Sequence, residues 1–251
     1  GNTLSFHYNQ IEEFETLLAE HGSELAAVVM EPTRFADPAP GFLEGIREHC
    51  NRLGIPLIFD EISCGWRLYS GGAHMKFAVE PDIAVFAKAL GNGFPIGAVI
   101  GRSEVMQAAQ KSFISSTFWT EGVGPAAALA CVRKMRRIDV PSHLHRIGKL
   151  MIDGWHELAE KHKLSIQTPG RPEMAILTFD YPEGPAITTL MTSRMLKKGY
   201  LAGAGFNPTL AHEERHVAAY LEALDEVFVE IAAAISKGDI EERIGGPVKH
   251  A

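Results

Sequence analysis

The chain has 251 residues, of which 46% are hydrophobic and 22% are charged, and its formal net charge is −7. This composition is typical of a globular protein, and it allows a substantial core in one large domain or two smaller ones. The negative charge and the lack of a long basic run argue against nucleic acid as a partner. No apolar run approaches the length of a membrane span, so no membrane partner is expected either.

The three cysteines are scattered and do not form a CxxC pair. Cys50, Cys64 and Cys131 are therefore expected to be free thiols in a reducing cytoplasm, and a disulfide framework or a zinc knuckle is not predicted.

Strands and helices alternate along the first half of the chain. The apolar patterns predict helices over 9–20, 41–53, 102–111 and 124–137, and strands over 25–30, 55–59, 83–86 and 98–101. Such alternation is typical of an α/β fold with a mostly parallel sheet.

The second half follows a boundary near residues 138–141. Helices are predicted over 142–162, 186–198 and 212–235, and one strand over 174–179. The sequence thus predicts a division into 1–137, with the parallel sheet, and 138–251, a small α+β domain.

Two charged residues follow two neighbouring apolar strands. Asp60 comes directly after Phe59, and Lys88 comes two residues after Phe86. Ligands of open α/β sheets bind outside the carboxyl ends of the strands, so both charges are expected to face one crevice. A buried lysine and a buried acid suggest pyridoxal 5′-phosphate, which forms a Schiff base with a lysine and keeps its ring nitrogen protonated beside an acid.

The surrounding residues resemble a known signature. Asp60-Glu61-Ile62 is followed by Gly65, and Lys88 precedes the glycine-rich stretch that starts at Gly91. This pattern resembles the class III aminotransferases, which are fold-type I pyridoxal-phosphate transferases. The resemblance implies that the chain contains part of their large domain and their small C-terminal domain. It also implies that Asp60 contacts the pyridine nitrogen, Ile62 packs on the ring and Lys88 holds the cofactor.

A hydroxyl-rich segment, Ser115-Ser116-Thr117, precedes the helix predicted at 124–137. The resemblance implies that Thr117, with Ser116, binds the cofactor phosphate across the interface of a homodimer. The other interpretation is that these residues cap the following helix.

The resemblance implies amino-group transfer by a transaminase or an aminomutase on a small amine or amino acid. Residues 199–208 lack the arginine with which many members bind a carboxylate, and they are closer to the glutamate-1-semialdehyde aminomutase branch. The family's N-terminal phosphate loop is not visible, so the chain is expected to be an N-terminally truncated portion of a longer polypeptide. An inactive interaction or dimerisation module is the alternative.

Two further features carry open interpretations. His212 and His216 fit HExxH, which would indicate a zinc hydrolase if both shared a helical face. Acidic residues at the start of a helix explain the motif better, and no metal is predicted. Glu31 ends the strand beside that of Asp60, where a supporting polar role and a plain strand terminus are equally compatible with the sequence.

Overall fold

The computed structural model describes residues 2–115, 117–246 and 248. The chain forms two compact units, Gly1–Pro141 and Ser142–Ala251. No helix in the described ranges is long and apolar enough to cross a membrane. The functional division predicted between residues 137 and 138 stays a prediction.

The first unit is built on a four-stranded sheet. Its strands, in spatial order, are β1 (Val28–Met30), β2 (Leu57–Asp60), β3 (Ile83–Phe86) and β4 (Ala98–Gly101). The first three are parallel, with Asp60 opposite Val85, and β4 is antiparallel to β3. The predicted α/β class with a mostly parallel sheet is confirmed.

Helices connect these strands. They are α1 (Ile11–His21), α2 (Phe42–Leu53), α3 (His74–Phe77), α4 (Ser103–Met106) and α5 (Val123–Met135), with 3-10 turns at Lys88–Leu90 and Gln107–Lys111. The helix predicted over 102–111 is therefore α4 followed by a 3-10 turn. Neither piece has a buried residue, so no packed face supports a longer regular helix.

Apolar side chains of β2 and β3 pack into two clusters of the first unit. Phe59 belongs to a cluster with Phe14 of α1 and Ile46 of α2. Phe86 belongs to another cluster, together with Leu90, and Trp66 packs against it. Side chains alternate in direction along a strand, so Phe59 and Asp60 of β2 point to opposite sides of the sheet.

Asp82, just before β3, ties several segments of the first unit together. It is 5% exposed. Its Oδ2 accepts hydrogen bonds from Leu57 N at 2.8 Å and Arg47 Nη1 at 2.7 Å, and its Oδ1 accepts one from Arg102 Nη1 at 3.0 Å. Burial alone would raise the pKa of Asp82, but these bonds lower it below the ordinary value. The ionised carboxylate thereby fixes β3 against β2 and α2.

The second unit contains longer helices and short strands. They are α6 (Val140–His162), which begins two residues before the unit, β5 (Ile166–Gln167), β6 (Gly170–Arg171), β7 (Met174–Ile176), β8 (Thr178–Phe179), α7 (Gly184–Lys197), β9 (Gly205–Phe206), α8 (Glu214–Lys237) and α9 (Ile240–Ile244). The single strand predicted over 174–179 is wrong. The chain changes partners at Leu177, since β7 pairs with β6 and β9 whereas β8 pairs with β5.

The core of the second unit is one large apolar cluster. Trp155 of α6, Leu190 of α7 and Phe228 of α8 are each at most 1% exposed and belong to it. These helices therefore owe their position to the burial of whole apolar faces against one another.

Candidate functional site

Asp60 is the last residue of β2, as its place after an apolar run predicts. It is half-buried, and its Oδ1 accepts a hydrogen bond from Ile62 N at 2.9 Å. In the described part of the chain, Oδ2 has no hydrogen bond. One carboxylate oxygen is thus used to shape the loop, and the other is available to a ligand.

Lys88 opens the 3-10 turn that follows β3. Its Nζ donates a hydrogen bond to Ser63 Oγ at 2.6 Å, so the lysine reaches the segment that follows Asp60. The expectation of a buried lysine is wrong, because Lys88 is exposed. The chain leaves the sheet after Phe86, and the turn carries the side chain to the surface.

The backbone around this lysine is strained. Lys88 has φ +39°, Asn92 has φ +46° and Trp66 has φ +66°, all in the left-handed region that L-residues with a side chain rarely adopt. All three lie in the segments that follow β2 and β3. Such conformations persist only where the surrounding structure imposes them, and they are concentrated at functional sites.

A buried carboxylate adjoins Asp60. Glu61 is 1% exposed, and both its oxygens are occupied. Oε1 accepts hydrogen bonds from His74 N at 2.9 Å and His74 Nδ1 at 2.7 Å, while Oε2 accepts them from Ala73 N at 2.8 Å and Cys64 Sγ at 3.1 Å. Burial alone would raise the pKa of Glu61, but these bonds lower it, so the group is ionised. The loop after β2 is thereby attached to the start of α3.

A glycine permits close packing of this loop. A Cβ on Gly65 would lie 2.7 Å from the Glu61 carbonyl oxygen and 2.8 Å from Phe86 Cδ1. No larger side chain fits between the loop and β3 without a shift of one of them. The spacing between Asp60 and Gly65 in the sequence pattern thus has a steric reason.

Sequence reasoning missed Glu61, Ser63 and His74 as parts of this site. Glu61 carries no firm signal, because it lies just beyond β2, where an acid is usually solvated. Ser63 and His74 carry no local signal, since their contacts depend on the folding of the loop.

The hydroxyl-rich segment lies partly outside the described residues, because Ser116 is not described. Thr117 is exposed in a turn. Among the described residues, the first N–H groups of α5 bind Glu121, whose Oε1 accepts from Val123 N at 2.7 Å and Oε2 from Gly124 N at 3.2 Å. A helix-capping role is therefore not observed for Thr117.

The HExxH histidines do not form a metal site. Helix α8 begins at Glu214, so His212 precedes the helix and does not share a helical face with His216. No group of three or more potential metal ligands occurs in residues 2–115, 117–246 and 248.

Glu31, just after β1, is the remaining candidate from the sequence. Its Oε1 accepts a hydrogen bond from Arg34 Nη1 at 3.0 Å, while its Oε2 is buried without a hydrogen bond. A buried carboxylate oxygen without a donor favours the supporting polar role over that of a plain strand terminus.

The residues present suit the cofactor that the sequence suggests. Within the described ranges, Lys88 Nζ has a neutral hydroxyl as its hydrogen-bond partner and no ion pair, so its amine is available for a covalent bond. Asp60 keeps one oxygen available to a protonated ring nitrogen. These two groups are what the chemistry of pyridoxal phosphate requires from a protein.

Comparison with known proteins identifies a family. The sequence matches the family described as "Aminotransferase class-III" over residues 4–228. The 3-aminobutyryl-CoA aminotransferase of Cloacimonas acidaminovorans (strain Evry) is 32% identical over 194 residues, which cover 74% of this chain and 47% of that protein. The chain thus spans about half the length of this curated relative.

Solved structures show the same fold. The FumI protein of Sphingopyxis sp. MTA144, in a PLP internal aldimine form, has a TM-score of 0.86 and 24% identity over 93% of this chain and 58% of its own. An omega-transaminase from Sphaerobacter thermophilus has a TM-score of 0.78 and 24% identity over 90% of this chain and 56% of its own. Both likenesses confirm the predicted fold class, that of fold-type I pyridoxal-phosphate transferases. The family match covers most of the sequence and confirms pyridoxal 5′-phosphate as the predicted cofactor, and the chain belongs to the class-III aminotransferase family.

Proposed function

We propose that this chain carries the lysine and the acid of a pyridoxal-phosphate-dependent amino-group transfer. Lys88 is the residue that holds the cofactor, Asp60 binds its ring nitrogen and Ile62 packs against the ring. The observation that carries the proposal is the position of Lys88. It lies just past a parallel strand in a strained backbone conformation, with Nζ 2.6 Å from a residue of the loop that follows Asp60.

Each residue has a distinct part in this chemistry. Bound pyridoxal phosphate supplies a conjugated ring that accepts the electron pair left when a substrate C–H bond breaks. The Lys88 amine would hold the cofactor, and its Nζ would take that proton and return it. The Asp60 carboxylate favours a protonated ring nitrogen through its negative charge. Ser63 Oγ orients the lysine amine through the hydrogen bond at 2.6 Å.

The proposal also covers the substrate of the reaction and the oligomeric state of the protein. A small amine or amino acid is the substrate, and residues 199–208, which lack arginine, favour a reaction of the aminomutase-like branch over one that needs a carboxylate clamp. The similarity to a protein named 3-aminobutyryl-CoA aminotransferase supports the alternative reaction, that of a transaminase. We propose that the protein is a cytoplasmic homodimer. Ser116 and Thr117 of one subunit would bind the phosphate of the cofactor held by the other subunit.

Covalent labelling tests the central assignment. The protein is incubated with pyridoxal phosphate, reduced with borohydride and digested, and the label is mapped by mass spectrometry. The label is expected on Lys88, and it is expected to disappear in Lys88→Ala. Lys76 and Lys111 serve as controls on the same unit, and a label on either of them with Lys88 free would refute the assignment.

The acid is tested by a variant of equal size. Asp60→Asn replaces the anion by a neutral amide, while its side-chain oxygen can still accept the Ile62 N–H. We expect turnover to fall by about 100-fold or more, corresponding to a few kcal/mol of lost electrostatic stabilisation. Thermal unfolding should change little. Full turnover in this variant would show that another group binds the ring nitrogen.

A further inference from the structure

A side chain of the loop that follows β2 holds the backbone of Ser63. Arg67 Nε donates a hydrogen bond to the Ser63 carbonyl oxygen at 2.9 Å. Within the part of the chain that the structure describes, that oxygen accepts no other hydrogen bond. Ser63 lies in neither a helix nor a strand, so its backbone position depends on this side-chain contact and not on regular pairing.

The charge of Arg67 has no counter-ion. Arg67 is half-buried, and its guanidinium forms no ion pair in residues 2–115, 117–246 and 248. Burial lowers the pKa of Arg67, while the neighbouring Cys64 acts in the opposite direction. An unpaired cation is costly to bury, so packing alone does not explain its presence. A charged donor makes a hydrogen bond that is roughly twice as strong as a neutral one, which suits a contact that must hold its acceptor firmly.

The same serine contacts the candidate catalytic lysine. Lys88 Nζ donates a hydrogen bond to Ser63 Oγ at 2.6 Å, and among the described residues this is the one hydrogen bond of the amine. Lys88 is exposed, and its side chain rotates about several bonds. Ser63 is therefore the residue through which the amine is oriented. Its carbonyl accepts from Arg67, and its hydroxyl accepts from Lys88.

We propose that Arg67 is a positioning residue for Lys88 and that it acts through Ser63. The guanidinium fixes the peptide group that follows Ser63, and the hydroxyl of the same residue then holds Nζ beside the loop that follows Asp60. An amine that is already oriented loses less conformational freedom when it forms its bond to the cofactor. The inference rests on the proposed function, because it requires that Lys88 binds the cofactor.

Trapping at increasing concentrations of pyridoxal phosphate measures this role. The Lys88 amine condenses with the aldehyde and releases water, and borohydride then reduces the C=N bond by hydride transfer. Arg67→Met keeps the apolar stem and removes the donors. Half-maximal labelling of Lys88 should then need about tenfold more pyridoxal phosphate, which is the scale of one charge-assisted hydrogen bond. The same concentration dependence in the variant and the parent chain would overturn the proposal.

Two matched variants separate the donor from the charge. Glutamine has its side-chain nitrogen as many bonds from Cα as Arg67 Nε, so Arg67→Gln keeps a neutral donor for the Ser63 carbonyl. It should need only about threefold more pyridoxal phosphate than the parent chain, since a neutral hydrogen bond is the weaker one. Arg133→Met removes an exposed cation of the same unit and should label like the parent chain. Equal losses in Arg67→Gln and Arg67→Met, or in Arg67→Met and Arg133→Met, would contradict the proposal.

A double-mutant cycle tests the path through Ser63. Ser63→Ala removes the hydroxyl that holds Nζ, so adding Arg67→Met to it should weaken labelling of Lys88 no further. Independent, additive losses would show that Arg67 does not act through Ser63, even if Arg67→Met also lowers the thermal midpoint. The same peptide map separates the two levels of the argument. A label on Lys76 or Lys111 in place of Lys88 refutes the proposed function, whereas a label on Lys88 that is insensitive to Arg67 refutes this inference alone.

Discussion

Different kinds of contact stabilise the interior of each of the two units. In the first unit, buried carboxylates join segments that are distant in sequence, as Glu61 does for α3 and Asp82 for α2. In the second unit, Trp155, Leu190 and Phe228 belong to one continuous apolar cluster. The unit that carries the candidate catalytic residues thus depends on directed polar contacts, which fix side-chain positions. The second unit also buries Arg171 and Glu173, but its helices are positioned mainly by the non-directional burial of apolar side chains.

The largest expected effect is the loss of a large side chain in the apolar unit. Phe228 is fully buried, and its ring lies 5.8 Å from that of Phe179. Phe228→Ala should lower the free energy of unfolding of the second unit by about 3–5 kcal/mol, through lost transfer energy and a new cavity. Urea unfolding followed by hydrogen exchange of second-unit peptides measures this. Val229→Ala, at a side chain that is 55% exposed, is the control and should change it by less than about 0.5 kcal/mol.

The next effect concerns the polar network of the first unit. Glu61→Ala leaves the N–H groups of Ala73 and His74 buried without an acceptor, so the first unit should lose about 3 kcal/mol of stability. Glu80→Ala is the matched control, because Glu80 faces the same His74 with a side chain that is 83% exposed. The control should lose at most about 1 kcal/mol. Equal losses would show that the buried network is not what holds the loop after β2.

Alkylation of Cys64 gives a local readout of the same variant. The thiol is buried, and burial together with the charge of Glu61 raises its pKa well above the ordinary value, so it should be unreactive in the native state. In Glu61→Ala the rate of alkylation by iodoacetamide should rise by about 100-fold, since about 3 kcal/mol of lost stability opens the site more often. A rate that stays at the parent value would contradict the prediction.

The smallest expected effect is on pH dependence. The pKa values of Glu61 and Asp82 are lowered in the folded state. Their stabilisation is therefore fully present above the unfolded value of about 4, and it is lost as pH falls through the lowered folded pKa. We therefore expect the first unit to lose stability as the pH becomes acidic, with a contribution from each carboxylate. The midpoint of urea unfolding of the first unit, measured at about pH 7, 4 and 3, tests this. Glu61→Gln should make the midpoint depend less on pH. The same dependence on pH in the variant and the parent chain would contradict the prediction.

Part of this organisation could be predicted from the sequence. The bounds of β3 and β4 follow from short apolar runs between proline and glycine, and the family signature follows from Asp60 and Lys88. The exposure of Lys88 could not be predicted, because it depends on a turn whose conformation is set by packing. The burial of Glu61 was equally hidden, since an acid beyond a strand is solvated unless the distant residues His74 and Ala73 fold over it. The predicted strand 174–179 is divided at Leu177 into β7 and β8. This division depends on which strands pair, and no local sequence pattern encodes that pairing.

The contacts of Asp82 can be completed only after a segment that follows it in the sequence has been made. Its partners Arg47 and Leu57 precede it by 35 and 25 residues, and Arg102 follows it by 20. As the polypeptide leaves the ribosome, the carboxylate first meets the two earlier segments and lacks its last cation until residue 102 has emerged. Until then β2, which ends at Asp60, and β3, which precedes Lys88, lack one of the charged contacts that fix them in the folded chain. The lysine thus acquires its setting only after the chain has been made well beyond it.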